Sequence, residues 1–103
     1  VQYLLAVLQY PKTMVALEKE IVVNGLTKRF DIVVYDRSHR AWMLVECKAP
    51  HVGLSEDVLQ QALRYNLALP VQYLVITNGE NTVGWKRETD RLHRLETLPI
   101  WEG

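Results

Sequence analysis

Apolar residues in this chain fall into short runs separated by polar turn clusters, and the period inside each run predicts strands interspersed with helices. Residues 1–10 carry Leu4, Leu5, Ala6, Val7 and Leu8 with few polar positions, the pattern of a helix lying on a sheet, and Pro11 ends it. Residues 15–23 change to a strand pattern finished by β-branched Ile21, Val22 and Val23. Asn24-Gly25 is then a strong two-residue hairpin signal. Residues 28–36 contain Phe30, Ile32, Val33, Val34 and Tyr35, a nearly continuous apolar run that predicts a central strand covered on both faces, with Asp31 inside it. A polar turn, Arg37-Ser38-His39-Arg40, leads into a third strand over residues 41–48, apolar through Trp42, Met43, Leu44 and Val45 and stopped by Pro50.

A helix is predicted from Ser55 to about Leu69. Ser55 is a favourable N-cap, Glu56 and Asp57 suit the positive end of the helix dipole, Leu54 can staple onto Leu59, and Pro70 terminates the helix. Residues 71–77 read as a fourth strand, Asn78-Gly79 as a turn and residues 82–86 as a fifth strand. Residues 91–103 follow no period that assigns an element.

Composition narrows this picture. A chain of 103 residues with 49% hydrophobic and 23% charged residues is expected to form one globular domain over residues 1–103. Basic and acidic residues number 12 each, so net charge points to no class of partner and only a local patch could. A single cysteine, Cys47, excludes an internal disulfide framework and fits a reducing compartment, with the cytoplasm as the expected location. Apolar runs fall short of the ~20 residues of a membrane span, and no GxxxxGK[ST] phosphate loop is present. The chain opens at Val1 within a helical pattern, which leads us to expect a truncated N-terminus.

The candidate chemistry sits on the third strand. Glu46 and Lys48 alternate onto one face of an otherwise apolar strand, where unpaired charges would be costly. A two-residue turn at Ser38-His39, or a four-residue turn over residues 37–40, sets Asp31 directly opposite Glu46 with Lys48 on the diagonal. In the preceding hairpin a two-residue turn sets Glu18 opposite Asp31, and a four-residue turn sets Glu20 there. Three acids and a lysine on one sheet face repel, whereas a hard cation such as Mg2+ needs only one or two carboxylates, waters and phosphate oxygens. A lysine beside it can orient water or neutralise charge on a phosphate, so the pattern suggests metal-assisted phosphodiester hydrolysis. On the following helix Val58, Ala62 and Tyr65 share a face with Gln61 at its margin, directing an amide and a phenol toward the sheet.

Asp31 followed by Glu46-Cys47-Lys48 resembles the PD-(D/E)xK nuclease signature, and residues 61–65, Gln-Ala-Leu-Arg-Tyr, match the QxxxY motif of its RecB-like branch. The stretch from Glu18 to Gly79 is similar to the N-terminal nuclease domain of type I restriction enzyme R subunits and small stand-alone relatives. The similarity includes residues 28–34, residues 45–50, Arg64-Tyr65-Asn66 and Thr77-Asn78-Gly79. The resemblance implies an α/β fold with a restriction-endonuclease-like core, a central mixed sheet of about five strands flanked by helices. It also implies Mg2+-dependent DNA cleavage, with Mn2+ as a substitute, in a prokaryotic cytoplasm alongside other restriction-modification subunits. Asp31 and Glu46 would be metal ligands, Lys48 the catalytic lysine, and Gln61 and Tyr65 the accessory pair. Phe30 precedes Asp31 where the signature has proline, a departure common in the family. Relatives often add an acid on the first helix, and residues 1–10 contain none. That acid is upstream, replaced by Glu18 or Glu20, or absent.

Competing readings accompany each of these. Asp31, Glu46 and Lys48 could form a structural ion-pair cluster, and Gln61 and Tyr65 could belong to an ordinary amphipathic helix. A binding or assembly module that keeps the fold without catalysis is the alternative function. Cys47 is expected to be a buried apolar filler. His39, His51 and His93 read as surface residues, and Trp42, Trp85 and Trp101 as packing residues. Lys28, Arg29, Arg37, Arg40, Lys86, Arg87, Arg91 and Arg94 are equally consistent with a phosphate-binding rim or with ordinary charged turns.

Overall fold

The computed structural model describes residues 10–23, 25–66, 71–89, 91–99 and Trp101. Nearly all of the helix expected over residues 1–10 therefore lies outside the described residues, as does the last turn expected of the second helix. A 3-10 turn (Lys12–Met14) leads into β1 (Val15–Val23), β2 (Leu26–Tyr35) and β3 (Ala41–Cys47). Then come α1 (Glu56–Asn66), β4 (Tyr73–Thr77), β5 (Thr82–Glu88) and β6 (Arg91–Leu95). The strands form one six-stranded sheet in sequence order. β3 and β4 run parallel, joined through α1, and the other neighbours are antiparallel. This mixed sheet with a crossover helix is an α/β architecture consistent with a restriction-endonuclease-like core.

The sheet has six strands where about five were expected. The addition, β6, reads Arg-Leu-His-Arg-Leu, an edge strand that is mostly exposed and lacks the apolar run that betrays a buried one. The apolar runs of β2 and β3 are buried, while Leu17 and Val22 on β1 are exposed. Ile32, Val33 and Val34 are buried on the central β2, and residues on both sides of the sheet form cores. One core packs Phe30, Val33, Leu44, Leu74, Ile76 and Trp85 against Leu59 and Ala62 of α1. The other gathers Ile32, Val34, Met43, Val45, Tyr73 and Val75 beneath Tyr10, with Leu98 and Trp101 packed on it.

Two irregularities decide what faces what. Tyr35 lies opposite Ala41 while Val34 lies opposite Met43, so Trp42 is an extra residue in β3. The turn of even length expected here is instead the five-residue link 36–40, held by Asp36, whose Oδ1 accepts the backbone N–H groups of Ser38 at 2.8 Å and Arg40 at 3.0 Å. The bulge absorbs the odd residue and preserves the expected register downstream, where Ile32 faces Val45. The second irregularity lies in the first hairpin. Glu18 adopts φ 50°, and the pairing of Leu17 with Ile32 and of Lys19 with Phe30 brackets it. Phe30 and Ile32, two positions apart, consequently feed opposite cores, as do Ile21 and Val15 on either side of Glu18 in β1.

Candidate active site

The first hairpin closes through the two-residue alternative, with Val23 opposite Leu26 and Gly25 at φ 79°, where glycine carries no Cβ penalty. Glu18 is therefore level with Asp31, and Glu20 faces Arg29. Glu18 is exposed and lies 3.7 Å from the Arg29 guanidinium. In the second hairpin, extending the Ile32 and Val45 pairing by one residue brings Asp31 level with Glu46. The Asp31 Oδ2 accepts the backbone N–H of Cys47 at 2.7 Å, which fixes this carboxylate at the C-terminal end of β3.

Glu46 and Lys48 meet directly, Oε2 to Nζ at 3.0 Å, with side-chain exposures of 23% and 35%. Their strand end is anchored to its parallel neighbour: Glu46 is level with Ile76, and the Lys48 N–H donates to the Thr77 carbonyl at 2.7 Å. Both side chains line a pocket of about 420 Å³ between the sheet and α1, together with Lys28, Val52, Val58, Gln61 and Ala62. Gln61 thus reaches the site from the helix as the sequence suggested. The side chain of Tyr65 lies outside the described residues. α1 begins where expected, because the Ser55 Oγ accepts the Val58 N–H at 3.3 Å and Leu54 and Leu59 join the same core.

Cys47 departs from expectation. It is exposed rather than buried, because the sheet ends at this residue and the opposite core stops at Val45. Partial desolvation nonetheless raises its thiol pKa above the ordinary value, and the negative charges of Asp31 and Glu46 raise it further. Lys28 departs too. Alternation from Asp31 would send it to the other face, but the irregularity at Glu18 and Asp31 turns it into the pocket. There its Nζ donates to Asn66 Oδ1 and lies 5.3 Å from the centre of the Phe30 ring. Desolvation lowers the Lys28 pKa, opposed by Glu46 and assisted by Lys48. A positive-φ residue within a strand, here Glu18, leaves no signature in sequence.

Chemically, Asp31 and Glu46 offer hard oxygen donors on neighbouring strands, a set that suits Mg2+ when waters and phosphate oxygens complete the shell. Among the described residues no group of three or more His, Cys, Asp or Glu side chains is arranged to hold a metal, so the set is sparse. Over residues 1–99 the sequence matches the model of the family described as type I restriction enzyme R protein N terminus (HSDR_N). The chain belongs to this family. No curated protein matched it. The PD-(D/E)xK assignment fits the R-protein N-terminal family, and membership supports a nuclease role and implies DNA and restriction-modification subunits as partners. Among the described residues no helix is long and apolar enough to cross a membrane.

Proposed function

We propose that this R-protein N-terminal domain is a Mg2+-dependent deoxyribonuclease that hydrolyses DNA phosphodiesters in the prokaryotic cytoplasm, with Mn2+ able to substitute. The observation that carries the reading is the meeting of Glu46 and Lys48 at 3.0 Å in the pocket under α1, with Asp31 fixed at the same strand end. Asp31 and Glu46 would hold the metal, which when bound supplies Lewis-acid charge to a phosphate oxygen. Glu18 is level with Asp31 and Glu20 lies opposite Arg29. Glu18 is exposed beside the Arg29 guanidinium, however, and the described acids form no group of three, so the proposed metal ligands are Asp31 and Glu46.

Lys48 orients the attacking water and neutralises charge that develops on the phosphate, a role its proximity to Glu46 allows without large motion. Gln61 contacts the substrate backbone from the helix, and Tyr65 follows it one turn later. Supercoiled plasmid should be nicked or linearised by the wild-type protein in Mg2+. Lys48→Ala should cut at least ~100-fold more slowly while its thermal melt stays close to wild type. Cleavage by that variant at the wild-type rate would overturn the assignment.

The sparse donor set favours one second reading, a DNA-binding or assembly module of the same fold without turnover. Calorimetric titration separates the two. The nuclease requires Mg2+ or Mn2+ affinity that disappears in Asp31→Asn and Glu46→Gln, and the module requires none.

A further inference from the structure

We infer that Lys28 is a second cationic contact for a DNA phosphate in this pocket and that Asn66 is its positioning residue. The inference rests on the nuclease reading of the same site. Its geometry begins at the end of α1. Asn66 is 2% exposed, and its Nδ2 donates to the Ala62 carbonyl at 2.8 Å. That bond orients the amide and turns Oδ1 toward Lys28, whose ammonium it accepts. The Phe30 ring lies beside the same ammonium, so β2 and α1 together fix its position.

The charge balance points the same way. Among the described residues that line the pocket, Lys28 and Lys48 are the cations and Glu46 the anion, with the Gln61 amide alongside. Gathering two ammonium groups on a sheet face works against folding, because each repels the other and both lose water. A polyanion in the pocket resolves that repulsion, and lysine binds phosphate as a point charge without needing the planar fork of arginine. Lys48 serves the reacting phosphate, while Lys28, tied to Asn66, holds the backbone.

The test measures binding of a short fluorescein-labelled duplex by anisotropy in EDTA across a salt series, with cleavage kinetics run in parallel. Lys28→Met should bind roughly tenfold more weakly, the loss of one charge-assisted bond, and its log–log salt slope should fall by about one. Its KM should rise more than its kcat falls, and Lys28→Arg should recover most of the slope. Should Lys28→Met fail to fold, Lys28→Gln, which keeps a donor for Asn66, replaces it. A folded Lys28 variant with unchanged affinity, slope and KM overturns the inference and leaves the nuclease reading standing. Wild-type protein that binds the duplex without cutting DNA defeats the nuclease reading instead, and Lys28 is still decided by the slope. Wild-type protein that does not bind the duplex overturns the role of Lys28.

Discussion

Asp31 spends one carboxylate oxygen on the Cys47 N–H, so its substitutions separate a structural effect from a chemical one. Asp31→Asn keeps an acceptor and should retain nearly all stability in urea unfolding, whereas Asp31→Ala should lose about 1 kcal/mol or less at this exposed position. Both should abolish cleavage if the carboxylate charge is what matters. Cys47 reports on the same charge. Its thiol pKa is raised first by desolvation and then by Asp31 and Glu46, so its iodoacetamide alkylation profile should lie at higher pH than that of an ordinary thiol. Asp31→Asn removes one of the negative charges and should move the alkylation profile to lower pH. A profile that does not move would place the Asp31 charge too far from the thiol. The sequence offered Asp31, Glu46 and Lys48 as candidates and predicted Asp31 level with Glu46, a register the bulge at Trp42 preserves. Lys28 was legible only as a charged strand residue, because the switch that turns it inward depends on the backbone of Glu18 across the hairpin.

The elements that frame the pocket rest on a few capping and turn bonds. Ser55→Ala removes the acceptor for the Val58 N–H and should cost about 1 kcal/mol in chemical unfolding, with α1 and therefore Gln61 less well held. Asn78 has the larger role. Its Oδ1 accepts the N–H groups of Glu80 at 3.0 Å and Asn81 at 2.7 Å, while its Nδ2 donates to the Val52 carbonyl at 2.9 Å. It thereby ties the β4–β5 turn to the loop that contributes Val52 to the pocket. Asn78→Ala should cost roughly 2–3 kcal/mol, because a buried side chain that closes three bonds is lost. Asn78-Gly79 was readable as a turn, but the bond to Val52 spans 26 positions and has no local signal. The same holds for the bulge at Trp42. Alternation predicts opposite faces for Trp42 and Met43, yet both pack in one core because the extra residue shifts the pleat.

The molecule as a whole places its site where the sheet changes character. β3 and β4 are the parallel pair, and the connection between them carries α1 over the sheet, so the C-terminal end of β3 opens beneath the helix. If the proposed Mg2+ site forms there, its occupancy is linked to global stability. An ion at about 100 times its dissociation constant adds about 2.7 kcal/mol to a protein that binds it only when folded. Millimolar Mg2+ should accordingly raise Tm in wild type and leave Tm unchanged in the Asp31→Asn, Glu46→Gln double variant. An equal rise in both would assign the binding to other groups.

What the sequence determined by itself was everything governed by local period and short hairpins. That covers β1 to β5 and the capped start of α1, because alternation and turn length act over a few residues. The pairing that brings Asp31 level with Glu46 was expected from an even turn and holds because the bulge at Trp42 offsets the five-residue link. Tertiary structure decided the remainder. β6 exists because β5 offers it an edge, since its own residues are too polar to announce a strand. Cys47 is exposed because the sheet stops there, and Lys28 enters the pocket because two paired strands switch faces together. Each of these depends on a neighbour distant in sequence, and no periodicity within a strand records which neighbour it will meet.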